Sequence, residues 1–211
     1  MSFPREQLRH IYWIGGGSGA GKSTIARRLA ERHNLHLYAT DDVMQEHGAR
    51  STPETAPRIK EFTAMSMDER WVNRSPQVMY ETFHWYHGEC FEMIIDDLLR
   101  LPKDRGIVVE GFRLLPHLVQ PLLTEPSQAI WLLPTPRFRE SVFDNRGGTS
   151  WSFIAKTSNP EKALRNLLER DKIFTDHLRE ETNRLGLTGI KVDLEMAEEQ
   201  LAAGVARFLK F

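Results

Sequence analysis

Five short apolar runs punctuate the chain, and between them apolar residues recur at three- and four-residue spacing. His10-Ile11-Tyr12-Trp13-Ile14, Ile107-Val108-Val109-Glu110, Ala129-Ile130-Trp131-Leu132-Leu133 and Ile190-Lys191-Val192 are runs of strand length, and Leu35-His36-Leu37-Tyr38-Ala39 alternates. Continuous apolar runs of this kind are buried on both faces, so strands alternating with helical stretches predict a parallel sheet of five strands with helices on either side. The stretch Lys22 to His33 carries Ile25, Ala26, Leu29 and Ala30 on one helical face, and Leu201, Val205, Phe208 and Leu209 do the same near the end of the chain.

Punctuation residues place the other helices. Asn34 is positioned to end the first helix, and Thr40-Asp41-Asp42 reads as the start of another. A charged, proline-bearing stretch runs from Gly48 to Pro57, then Ile59 to Met65 reads as helical. Ser66 and Glu69 form a capping box. Ser75-Pro76 has cap and first-turn proline in order and predicts the longest helix, with Met79, Phe83, Tyr86, Cys90 and Ile94 along one side. Thr135-Pro136 opens a helix that stops near Gly147-Gly148. Asn159-Pro160 opens another that runs to Gly186, with Leu164, Leu167, Leu168, Phe174, Leu178 and Leu185 facing inward. Residues 43–106 are too helical and too long for a plain crossover. They are expected to form a helical region covering a substrate within a single domain, 1–211.

Between the first strand and the first helix stands Gly16-Gly17-Ser18-Gly19-Ala20-Gly21-Lys22-Ser23-Thr24, which contains the pattern G-x-x-x-x-G-K-[ST]. The strand–turn–helix context gives that pattern its mechanics. Glycines let consecutive backbone N–H groups point inward, and the helix N-terminus adds positive potential. Lys22 reaches outer phosphates and Ser23 ligates Mg²⁺. The residues Gly16 to Thr24 are therefore expected to hold ATP.

Composition narrows the class. The 211 residues include 28 basic and 29 acidic ones, so there is no basic footprint for nucleic acid. Roughly 70% of the unfolded surface is expected to be buried in a chain of this size. A single cysteine, Cys90, excludes an internal disulfide, fits a reducing compartment and reads as a small buried hydrophobe in a helix. Met1 to Arg9 lacks an apolar signal core and no run is long enough to span a bilayer, so a cytoplasmic protein without a membrane partner is expected. Monomer and homodimer remain open.

The Gly16–Ser23 motif, the Thr40-Asp41-Asp42 turn and the run Val108-Val109-Glu110-Gly111-Phe112-Arg113-Leu114-Leu115-Pro116 resemble the P-loop small-molecule kinases of the nucleoside-monophosphate-kinase type. That group includes adenylate, shikimate and gluconate kinases, chloramphenicol phosphotransferase and 2-phosphoglycerate kinase. The resemblance implies an α/β P-loop fold with strand order 2-3-1-4-5, a helical substrate region and a lid over 135–188. It also implies an ATP- and Mg²⁺-dependent phosphotransferase acting on a small-molecule acceptor. A P-loop regulatory module or NTPase without such an acceptor is the alternative.

Each role in phosphoryl transfer has a candidate. Asp41, just past the second strand, is expected to face the acceptor hydroxyl, because the site of such a sheet lies beyond the C-terminal strand edges. Shikimate-type kinases carry a further aspartate two positions earlier, where this chain has Ala39. Glu110 is therefore the expected carboxylate for Mg²⁺, with Ser23, or for substrate; its structural alternative is an arginine salt bridge. Arg113 is expected to hold an anionic acceptor. Arg139, Arg146, Arg165 and Arg170 compete for the charge-stabilising role of the lid, with Arg146 and Arg170 preferred alongside Lys22 as catalytic residues. His84, His87 and Glu89 are spaced poorly for a metal site.

Overall fold

The computed structural model describes residues 5–211. Five strands, β1 (Ile11–Gly16), β2 (His36–Ala39), β3 (Ile107–Glu110), β4 (Ala129–Pro134) and β5 (Thr188–Val192), form one parallel sheet in the order 2-3-1-4-5. This is the expected order. Ten α-helices lie among the described residues: α1 (Lys22–His33), α2 (Met44–Arg50), α3 (Pro57–Ala64), α4 (Met67–Trp71), α5 (Pro76–Thr82), α6 (Phe91–Arg100), α7 (Pro116–Val119), α8 (Pro136–Asn145), α9 (Pro160–Arg184) and α10 (Glu198–Phe208).

Alternate residues of the central strands feed two cores. Ile14, Val108, Ile130 and Leu132 pack against α1 and α10 through Ile25, Leu29, Leu201 and Val205. Trp13, Val109, Trp131 and Leu133 point the other way, onto Ile94 and Leu98 of α6 and Phe174 and Leu178 of α9. A third cluster joins Trp71, Val72 and Met79 to Phe143, Ile154, Ala163 and Leu167, tying the 43–106 region to the 135–188 segment. The helical region and the segment expected to act as a lid therefore share a core.

Register decides where the chemistry sits. Ile14 and Ala39 both pair with Glu110, and Gly16 pairs with Leu132. The C-terminal ends of β1, β2 and β3 thus reach one edge of the sheet together. Beyond that edge lie the Gly16–Thr24 turn, the Asp41 turn and Glu110.

Two expectations are corrected. The helix opened by Ser75-Pro76 ends at Thr82; His84–His87 follows as a 3-10 turn, and α6 begins at Phe91. Phe83 to Tyr86 are four consecutive buried residues, which no single helix face can supply. The longest helix is α9, as long as 25 residues. Cys90 accordingly lies outside a helix interior, with a left-handed φ of 61° at the start of α6, and is half-buried. The helix expected at Thr40-Asp41-Asp42 begins instead at Met44, with Val43 as its N-cap, so neither aspartate caps it.

Candidate active site

The glycine turn is shaped by its own stereochemistry and by one buried arginine. Gly16 ends β1 at φ 129°, where a Cβ would strike the Leu132 backbone of β4. Gly21 turns left-handed, φ 80°, directly into α1. Behind the turn, Arg139 of α8 is 1% exposed; its Nε donates to the Ser18 carbonyl (3.3 Å) and Nη2 donates to the Thr175 hydroxyl of α9. Arg139 braces the turn from within, and Arg165 is exposed away from the cavity.

Lys22 folds back inside the turn, its Nζ donating to the Gly17 carbonyl at 2.8 Å. Burial lowers its pKa, although the carboxylates of Glu110, Asp41 and Asp171 pull the other way. Glu110, 2% exposed at the end of β3, lies beside Ser23, and burial raises its pKa against the attraction of Lys22. No arginine salt bridge to Glu110 forms among the described residues. A hydroxyl and a carboxylate, both oxygen donors placed beside the phosphate turn, fit a hard cation such as Mg²⁺.

Across from the turn stands Asp41. Gly111, at φ 152°, fits against Thr40, whose hydroxyl occupies the place of a Cβ, and the Thr40 amide donates to the Glu110 carbonyl at 2.9 Å. The end of β3 therefore fixes the turn that presents Asp41. Asp41 is exposed and lines the cavity. The protein packed about the cavity mouth raises its pKa, opposed by Lys22 and Arg113.

Arg113 does not meet the expectation of an anion-holding residue. It is 2% exposed, outside the cavity wall among the described residues, and stacked on Trp85 at 4.1 Å. Its Nη1 donates to the Thr40 carbonyl (3.3 Å) and its Nη2 to the Cys90 carbonyl (3.2 Å) and His47 Nδ1 (3.1 Å). Since Arg113 can only donate, His47 carries its proton on Nε2 and donates it to Asp97 (2.9 Å), which also accepts from Tyr38 (2.7 Å). Burial brings the Arg113 pKa down to about 10. Arg113 props the Asp41 turn from behind.

In front, a cavity of about 740 Å³ joins Ser18–Thr24 and Asp41 to residues of the helical region and of the 135–188 segment. Arg146 lines it from an exposed position over Phe143 and Trp151 and adds to the field at Lys22. Gly147 and Gly148, the expected hinge, both have left-handed φ, 109° and 53°. Arg170 also lines the cavity, but as a buried residue. Its Nε and Nη2 donate to Asp171 Oδ1 (3.0 and 2.7 Å) and its plane lies 4.5 Å from the Phe83 ring.

Several cavity residues were missed from the sequence. Asp171 was legible in principle, as a carboxylate four residues after Leu167 and three before Phe174 on the apolar stripe of α9. Trp71, Phe153 and Arg70 carried no local signal; only the meeting of two distant segments brings them together. His87 and Glu89 serve structure: His87 Nε2 donates to the Glu81 carbonyl, and Glu89 accepts the amides of Arg58 and Ile59 at the start of α3. No group of three metal-ligating side chains occurs among the described residues.

No family model matches the chain, and no curated protein matches it by sequence. Solved structures do. Deoxyadenosine kinase from M. mycoides with bound dATP is similar over 95% of this chain and 100% of that one, at 12% identity and a TM-score of 0.50. Shikimate kinase from Acinetobacter baumannii in complex with shikimate covers 98% of this chain and 97% of its own, at 13% identity and a TM-score of 0.44. Identities this low speak to architecture alone. With the sheet order and the glycine turn, the deoxyadenosine kinase likeness identifies the fold as that of the P-loop kinases.

Proposed function

We propose that the chain is an ATP- and Mg²⁺-dependent phosphotransferase that moves the γ-phosphate to the hydroxyl of a small-molecule acceptor. The observation that carries this reading is a single cavity in which a closed phosphate turn and Asp41 face a separate, ring-lined space large enough for a second molecule. A nucleotide switch without an acceptor has no use for that second space.

Residues Gly16 to Thr24 would cradle the triphosphate with their amides, and Lys22 would leave the Gly17 carbonyl for the outer phosphates. Ser23 and Glu110 would hold Mg²⁺, which neutralises phosphate charge when bound. Asp41 would accept the proton of the acceptor hydroxyl as its oxygen bonds to the γ-phosphorus and the bond to ADP breaks. A carboxylate whose pKa is raised by its surroundings is the better base for that step. Arg146, exposed beside two left-handed glycines, would swing onto the transferring phosphate. Arg170 is committed to Asp171 and would act on phosphate only by leaving it.

Asp41→Asn is the test. ATP binding, read as thermal stabilisation by a non-hydrolysable analogue, should persist, while transfer falls by about 10²–10⁴. Undiminished turnover would remove Asp41 from the chemistry. Absence of stabilisation of the wild type by any nucleotide would end the phosphotransferase reading.

A further inference from the structure

The cavity has two ends of opposite character. Lys22, Asp41, Arg146 and the turn amides occupy one. Aromatic rings crowd the other, among them Trp71, Phe83, Trp85, Tyr86, Phe112 and Phe153. Trp71 and Phe153 stack at 4.5 Å with 29° between planes, and Phe83 and Phe112 at 6.4 Å with 22°. Such walls take a flat molecule.

A phosphate or carboxylate on the acceptor would need an open guanidinium fork at this end. No guanidinium at this end has both donors of its Nε–Nη2 fork free among the described residues. Arg170 gives two donors to Asp171 and its face to Phe83. Arg70 lies over Phe62 with Nη2 tied to the Thr63 carbonyl at 2.7 Å and only its buried Nε unpartnered, so it presents no free pair of donors, and Lys60 leans on the Gly48 carbonyl at 3.4 Å. Arg113 is behind the wall.

Three buried polar atoms of cavity-lining residues lack partners among the described residues: Arg70 Nε, His84 Nδ1 and, between the two ends and near enough to act on Lys22, Asp171 Oδ2. Asp171 is 1% exposed; its Oδ1 accepts from Tyr86 and from Arg170 twice, while Oδ2 accepts nothing. His84 is 4% exposed, and its Nδ1 is unpartnered. Burial, reinforced by Arg113, Arg170 and Arg70, lowers the His84 pKa to about 3, so the ring is neutral and can donate or accept. Buried polar atoms in folded proteins are nearly always paired, and an unpaired carboxylate oxygen asks for a donor.

We propose that the acceptor is an uncharged alcohol carried on a planar, nitrogen-containing ring, a molecule of nucleoside type, which stacks among these aromatics and presents ring-edge groups to Asp171 Oδ2 and His84 Nδ1. This rests on the phosphotransferase reading above. The arrangement selects against acceptors that already bear a phosphate or carboxylate, and it gives small polyols nothing to stack on.

The test is a transfer assay with γ-labelled ATP and Mg²⁺ against purine and pyrimidine nucleosides, their 5′-monophosphates, gluconate, 3-phosphoglycerate and glycerol, run beside thermal shifts with a non-hydrolysable ATP analogue. At least one nucleoside should be phosphorylated with kcat/KM tenfold or more above every anionic acceptor and above glycerol. Phe153→Leu, at a half-buried position, should raise KM for that nucleoside about fivefold or more without changing stabilisation by the ATP analogue. Asp171→Asn should raise the same KM tenfold or more if it folds; the Phe153 variant stands if it does not. Preference for an anionic acceptor, or equal use of glycerol, overturns the proposal. So does stabilisation by the ATP analogue without phosphorylation of any nucleoside. Failure of the analogue itself to stabilise the protein is a different result, and it strikes the phosphotransferase reading instead.

Discussion

His84 shows how a residue that looks ambiguous in sequence acquires a definite burden in the fold. Its neighbourhood of His87 and Glu89 suggested a metal only weakly, and the structure separates the three into different tasks. Because His84 is buried neutral, its folded pKa of about 3 lies below the ordinary 6.5. Between those values the unfolded chain binds a proton that the folded protein does not, so the contribution of His84 is intact above pH 6.5 and drains away as the pH falls toward 3. His84→Gln should therefore lose less stability than the wild type between pH 7 and pH 4.5, measured by urea unfolding at both values. Parallel losses would mean the imidazole is not held neutral. The phosphate turn, Asp41 and Glu110 were readable because each sits at the end of a strand whose pattern is plain. Arg113 misled because the sequence places it two residues past Gly111 but does not say which way its side chain turns; stacking on Trp85 takes it away from the cavity.

At the scale of elements, caps made boundaries legible and aromatic clustering hid one. Asn159 Oδ1 accepts the Lys162 amide at 3.0 Å and starts α9 at Pro160, as the Asn-Pro pair predicts. That helix carries Asn166, Arg170, Asp171, Phe174 and Thr175 past the cavity and the core, so its start matters to both. Asn159→Ala should cost about 1 kcal/mol of global stability, read from the urea midpoint, with little effect on ATP-analogue affinity because the cap is remote from the phosphate turn. A change in affinity larger than the change in stability would show that α9 transmits strain to the site. The break after Thr82 was hidden for a physical reason. Met79, Phe83, Tyr86, Cys90 and Ile94 satisfy helical periodicity, yet Trp85 and His84 are buried as well. Gly88, at φ 75° with Leu118 packed where a Cβ would stand, ends the 3-10 turn His84–His87 that follows the helix, within a segment that buries all four residues from Phe83 to Tyr86. Periodicity reports one face at a time and cannot announce a segment that buries several.

For the molecule as a whole, the charges gathered at the C-terminal edge of the sheet set stability against ligand binding. Glu110 is raised by burial although Lys22 lies close, and Lys22 is lowered by burial although Glu110, Asp41 and Asp171 lie close. Both directions say that lost hydration outweighs mutual attraction in the ligand-free protein. The contribution of a carboxylate raised above its usual 4.5 is fully present below that value and is lost as the pH rises through the folded pKa. Glu110→Gln keeps the shape and removes the charge, so the variant should match the wild type near pH 4 and melt above it at pH 8. A gain of ~2–4 °C corresponds to about 1 kcal/mol in a chain of this length. The same variant should lose part of the Mg²⁺-dependent stabilisation by ATP, which for an intact site is about 2.7 kcal/mol at a hundredfold excess over Kd. Melts at both pH values, with and without Mg²⁺ and the analogue, separate the two effects. If Glu110→Gln melts lower at pH 8, attraction to Lys22 wins over burial and Glu110 is a structural partner of the lysine; if it melts higher yet keeps its full Mg²⁺-dependent gain, the cation is held by other oxygens at this edge, and Asp41 and Asp42 become the residues to substitute next.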